Sequence, residues 1–196
     1  KSWEDFEQLV ASLKTTKEKG DYFERLTQLY LLTTSTYQSK VKHVWWCNNP
    51  YNEELPDDIR IKLNLPEGDE GIDLICETFD QKYWSVQAKY RTDADKALTT
   101  SELSKFLNLS FVTSNSIELG LITHTSTRPV KKQELMGNTT EIGLENFLDI
   151  SQSQWETINE LCRGEELLTP KTTPHRDYQD KAIEKAVEHF VSRGEP

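Results

Sequence analysis

The sequence predicts a mixed α/β domain, a central β-sheet flanked by helices. Three observations predict it. Segments 3–13 and 21–32 repeat apolar residues at helical spacing. Segments 41–46, 71–90 and 119–125 are short, apolar and bounded by turn residues, as strands are. Both kinds alternate along 196 residues, enough for one domain with a substantial core.

WEDFEQLVASL places Trp3, Phe6, Leu9, Val10 and Leu13 on one helical face. The polar stretch TTKEKG reads as a break, after which Asp21 opens a second helix with Phe23, Leu26, Leu29 and Tyr30 inward. VKHVWW, 41–46, reads as a strand. Residues 48–68 are long, polar and punctuated by proline, an insertion with a short helix around Leu55 to Leu63. A hairpin over 71–90 turns near Phe79 to Lys82. Thr99, Thr100 or Ser101 caps a helix to Leu109. LGLITHT, 119–125, is a buried strand, and a weaker one is expected near Phe147 to Ile150. Ser153 and Glu156 have the spacing of a capping box for a helix to Cys162. RGEELLTPKTTP, 163–174, reads as a linker, and YQDKAIEKAVEHFV as a last amphipathic helix.

Composition narrows the function. Hydrophobic residues make up 35 % and charged residues 29 %, so the chain folds with little apolar surplus. No apolar run approaches the roughly 18 residues of a membrane span, and there is no basic-then-apolar leader. The three cysteines are far apart and lack metal-ligand spacing, which predicts a reducing, cytoplasmic setting. The chain opens at Lys1 without a Met, as a piece of a longer polypeptide would. The net charge of −10 argues against a stand-alone nucleic-acid binder. It is compatible with a carboxylate-rich site for divalent cations, in an enzyme whose DNA affinity comes from elsewhere.

The hairpin GDEGIDLICETFDQKYWSVQAKY carries the chemistry. Gln87 and Lys89 share one strand face, with Trp84, Val86 and Ala88 on the other. Pairing the apolar rows as Leu74–Ala88 and Cys76–Val86 brings Asp73 beside Lys89 and close to Gln87. A buried carboxylate costs several kcal/mol unless compensated. One compensation is a plain Asp73–Lys89 ion pair. The other is a cation, because Asp69, Glu70, Asp73 and Glu77 crowd this stretch and oxygen donors suit Mg²⁺ or Mn²⁺. A carboxylate-held metal beside a lysine suits phosphodiester hydrolysis by water.

Three motifs occur in order: Gly20-Asp21-Tyr22-Phe23-Glu24-Arg25-Leu26, Asp69-Glu70-Gly71-Ile72-Asp73-Leu74 and Val86-Gln87-Ala88-Lys89-Tyr90. Together they resemble the PD-(D/E)xK nuclease signature in its D…QxK variant, as in Mrr-like restriction endonucleases. The resemblance implies a restriction-endonuclease-like core over 1–162. It implies Asp73 as the central metal ligand, with Gln87, the Ala88 backbone carbonyl and Glu24 as further ligands, and Lys89 as the catalytic lysine. Mg²⁺, with Mn²⁺ as substitute, is the implied cofactor and double-stranded DNA the partner.

Other residues have plainer readings. Asp21-x-x-Glu24 is also a capping-box pattern. Asp69 reads as a turn residue, Glu77 as a solvated carboxylate, and His124 and His43 as satisfied core histidines. Trp45 and Trp46 must face opposite sides of the sheet. Arg91, Lys96 and Lys105 are candidates for backbone phosphates.

The tail adds a second resemblance. Arg176-x-Tyr178-Gln179-x-x-Ala182-Ile183 looks like the opening motif of superfamily 2 helicases, in which the glutamine, here Gln179, reads the adenine of ATP. Residues 175–196 would then begin a truncated motor domain. A Mrr-like nuclease joined to a helicase is similar to the N-terminal part of type ISP restriction–modification enzymes. That implies ATP dependence of the full-length protein, helicase and methyltransferase domains in the same polypeptide, transient pairing of nucleases for double-strand cleavage, and no sequence specificity in this domain. The rival expectations are a degenerate nuclease fold that binds DNA or docks a motor, and a repair or junction-resolving nuclease.

Overall fold

The computed structural model describes residues 2–48, 54–68, 71–130 and 138–164. The linker and motor expectations for 165–196, and Asp69, Glu70 and Gln179, lie outside these residues.

The chain builds α1 (Trp3–Ser12), α2 (Thr16–Thr33), α3 (Ser35–Gln38), β1 (Val41–Trp46), α4 (Asp57–Lys62), β2 (Leu74–Thr78) and β3 (Tyr83–Lys89). It continues with α5 (Thr100–Asn108), a π-helical turn (Leu109–Thr113), β4 (Ile117–His124), β5 (Thr139–Ile142), α6 (Leu144–Leu148) and α7 (Gln152–Gly164). The sheet runs in the order β1-β2-β3-β4-β5. β1, β2 and β3 are antiparallel, whereas β3, β4 and β5 are parallel. The parallel β3–β4 pair is connected through α5, as such pairs require. No described helix is long and apolar enough to cross a membrane.

Each face of the sheet buries its own core. Val44, Trp46, Leu74, Cys76, Val86, Ala88 and Leu121 pack under α1, α2, α6 and α7. Ile75, Tyr83 and Ile122 pack under α5 with Leu103, Phe106 and Leu107. Strand alternation therefore serves two apolar layers, and β3 is buried along its length except at Lys89. Leu55 and Leu63, from the expected insertion, are also buried in the second core, and the Leu55 N–H donates to Trp46 O at 2.8 Å. This part of the insertion completes a layer.

Four expectations are corrected. α2 starts five residues before Asp21, because Thr15 and Glu18 form the capping box; the Lys-rich stretch is its solvated first turns. The strand expected near Phe147 is helix α6, whose Phe147 fills the first core; among the described residues the last strand is Thr139–Ile142. α7 begins before Ser153, with the Gln154 N–H donating to Ser151 Oγ at 3.3 Å. His43 is exposed and stacks on Trp45 at 5.1 Å. Trp46 is buried in the first core, and Trp45 packs on the second.

Candidate active site

Asp73 stands at the end of the antiparallel part of the sheet. Gly71 leads into it at φ 101, where an L side chain is strained, and an added Cβ would lie 3.3 Å from Lys105 Cγ. The Asp73 N–H donates to Val86 O at 2.9 Å, and its carbonyl accepts from the Cys47 N–H at 2.9 Å. The backbone is thus pinned between β1 and β3. The carboxylate is pinned as well: Oδ2 accepts from Gln87 Nε2 at 2.5 Å and from the Ala88 N–H at 2.6 Å. β2 begins only at Leu74, and at Asp73 a side-chain oxygen takes a β3 donor.

The hairpin register differs from expectation by two residues: Leu74 pairs with Val86 and Cys76 with Trp84. Asp73 consequently meets Gln87 instead of standing beside Lys89. A shift of two preserves which face is buried, so both registers satisfy the apolar rows. Among the described residues Lys89 makes no ion pair, and the plain Asp73–Lys89 salt bridge is not the arrangement found. Lys89 is half-buried, two residues beyond Gln87 and on the same face.

Across the parallel half, Lys89 is in register with His124. His124 is buried, and its Nδ1 accepts from the Ser126 N–H at 3.1 Å. The proton therefore sits on Nε2, which donates to Glu141 Oε1 at 2.6 Å. The same Oε1 accepts from the Val130 N–H at 3.0 Å. His124 is a satisfied structural histidine that ties the segment after β4 to β5. Thr125 continues the tie: its Oγ1 accepts from the Arg91 N–H at 2.6 Å and donates to Arg91 O at 3.2 Å. The Arg91 guanidinium reaches Glu102 at 2.5 Å and, with the Thr99 cap of α5, holds that carboxyl down to about 2. The chain that follows Lys89 is thus fastened on two sides. Glu141 and Thr125 carried no sequence signal; Thr99-x-x-Glu102 did, as a capping box. Glu77 pairs with Lys42 at 3.6 Å, away from Asp73 along β2.

Glu24 is half-buried in the interior of α2, where it has no capping role. Its neighbours in the helix hold it at the same end of the sheet. Phe23 packs on Tyr90 at 6.1 Å, just past Lys89. Thr27 Oγ1 lies 3.2 Å from Thr123 Oγ1. Gln28 donates to Val44 O at 2.8 Å and accepts from Trp46 Nε1 at 2.5 Å. α2 lies on the opposite layer from α5, so Glu24 approaches this end from the first-core side.

The donors at this end are oxygens: the Asp73 carboxylate, the Gln87 amide and backbone carbonyls. That set fits a hard cation such as Mg²⁺ or Mn²⁺. Among the described residues, no three His, Cys, Asp or Glu side chains form a metal-holding cluster. A cation here would draw much of its shell from amide and backbone oxygens and from water, as Mg²⁺ readily does.

Comparison with known proteins bears on this geometry. A family model of the Mrr type, described as restriction endonuclease, matches residues 32–163. Among solved structures, the ATP-dependent type ISP restriction–modification enzyme LlaBIII bound to DNA superposes with a TM-score of 0.52 at 24 % identity. The match covers 95 % of this chain and 11 % of that enzyme, so the chain spans a small part of its length. No curated protein matches.

Proposed function

We propose, from the premise that the chain belongs to this restriction endonuclease family, that it is a metal-dependent DNA endonuclease domain acting at the Asp73 end of the sheet. The observation that carries the reading is the convergence of the Asp73 carboxylate on Gln87 and the Ala88 N–H, with Lys89 two residues further on the same face. Asp73, Gln87, the Ala88 carbonyl and Glu24 would hold Mg²⁺, with Mn²⁺ as substitute. The bound cation would polarise a phosphoryl oxygen and acidify a water. Lys89 orients or deprotonates the attacking water and stabilises charge that builds on the phosphate. The sheet fixes Asp73 and Lys89 through backbone bonds on both sides, so their spacing is set before substrate arrives.

The wider setting is part of the proposal. The solved enzyme is ATP-dependent, of type ISP and bound to DNA. As the Arg176-x-Tyr178-Gln179 resemblance implies, the parent protein joins this domain to an ATP-driven helicase and a methyltransferase, and residues 165–174 link it to a motor that begins within 175–196 and reads adenine through Gln179. Double-stranded DNA is the substrate, cut without sequence choice by this domain, in a cytoplasmic protein whose nuclease copies pair transiently.

One observation favours a second reading. The Gln87 amide already satisfies Asp73, as it would in a degenerate fold that only binds DNA or docks a motor. Nicking of supercoiled plasmid at low salt, with Mg²⁺ or Mn²⁺, separates the two. The endonuclease reading expects Asp73→Ala and Lys89→Ala each to lower nicking by about 100-fold or more. An Asp73→Ala variant that cuts like wild type in the full-length, ATP-driven protein removes this site as the catalytic centre.

A further inference from the structure

Gln87 is 2 % exposed and its side chain lies 2.5 Å from Asp73 Oδ2. An ionised carboxylate oxygen is an acceptor only. The Gln87 atom that faces it must therefore be the NH₂, and the carbonyl Oε1 is the other end of the same amide. The Ala88 N–H donates to this same Oδ2 at 2.6 Å. Two donors thus occupy the carboxylate oxygen on the side from which Gln87 would have to contribute to a metal. A metal ligand has to present Oε1 instead.

We infer that Gln87 is a latch: its amide closes the metal-free site by donating to Asp73, and it must turn over to present Oε1 before a cation binds. The inference rests on the endonuclease reading of the site. The turn is feasible because the terminal amide torsion of glutamine is broad and roughly two-fold. It is opposed because Gln87 is buried, and the turned NH₂ gives up a charge-assisted bond. A glutamate at 87 has no donor, leaves two carboxylates face to face in the absence of metal, and needs no turn to bind one. Glutamine here stabilises the empty site and raises the cation concentration at which it fills.

The test compares the 196-residue chain with Gln87→Glu, Gln87→Met and Asp73→Ala, in EDTA and in Mn²⁺. Two readouts are used, thermal unfolding and Mn²⁺ binding by EPR. The latch predicts that Gln87→Glu lowers Tm in EDTA by about 4 °C or more, binds Mn²⁺ at least about 10-fold more tightly than wild type, and regains Tm when Mn²⁺ is added. Gln87→Met should lose Tm without gaining affinity. Equal Mn²⁺ affinity in wild type and Gln87→Glu overturns the latch. If Asp73→Ala abolishes binding in that case, the metal site itself stands. Absence of Mn²⁺ binding in every form overturns both the latch and the metal-dependent reading.

Discussion

At Asp73 a carboxylate does the work of a strand carbonyl. It accepts the Ala88 N–H that β2 no longer reaches, and so it is positioned by the sheet as firmly as a backbone atom. Lys89 is fixed differently, by the chain after it. Its carbonyl accepts from the Thr125 N–H at 3.4 Å, Thr125 holds Arg91, and Arg91 holds Glu102. Glu102 offers a pH test of that fastening. Its folded pKa, about 2, lies below the ordinary carboxylate value because of Arg91 first and the Thr99 cap second. A depressed pKa stabilises the fold above the unfolded value and loses that contribution as pH falls toward 2. Glu102→Gln keeps a side chain able to cap but removes the charge. In urea titrations between pH 7 and pH 2.5, wild type should lose more stability than Glu102→Gln below about pH 4.3. Parallel curves would show that the Arg91–Glu102 pair contributes nothing.

Among the elements, α2 carries a testable oddity. Gly20 sits in its interior, where glycine costs about 1 kcal/mol relative to alanine. An added Cβ there would meet nothing within 4 Å. Gly20→Ala should therefore raise stability by about 0.5–1 kcal/mol in denaturant unfolding. If nicking falls while stability rises, the open space above Gly20 is needed by substrate. Gly120 is the opposite case: a Cβ on β4 would lie 3.0 Å from Phe111 Cζ, on the π-helical turn, and alanine there should destabilise. These elements also show what a sequence conveys. Apolar patterning marked α1, β1, the hairpin and β4, and assigned the polar face of β3 correctly; the capping residues at 99–101 marked α5. The hairpin register was not legible, because a two-residue shift leaves every apolar row intact. The turn decided it: Gln81 takes φ 62, a left-handed position usually held by glycine or asparagine, so its chemistry left no mark. The start of α2 is written in Thr15-x-x-Glu18, inside the polar stretch read as a break. β5, TTEI, has too little apolar pattern to announce itself and is placed by Glu141 and by pairing with β4.

For the whole molecule the governing quantity is charge. A chain of net charge −10 repels a polyanion at long range, and affinity for DNA depends on lysine and arginine contacts that release counterions. Lys89, Arg91 and Lys105 lie on the site side, but Arg91 is already committed to Glu102. The proposed function therefore requires that DNA be brought to the site by something else. Tethering converts a weak encounter into an intramolecular one, with gains of about 10² to 10⁴ and no new contact. A fusion of this chain to a non-specific, basic DNA-binding module, through a flexible linker, should raise plasmid nicking at 150 mM salt by that order. The unfused chain should nick only at low salt, and Asp73→Ala should remain inactive in the fusion. Sub-micromolar DNA binding by the unfused chain at 150 mM salt would sink the argument, because the domain would then hold DNA by itself. Were the fusion to gain nothing while binding DNA tightly, delivery would not be the missing factor, and control would lie within the site, where Gln87 closes on Asp73.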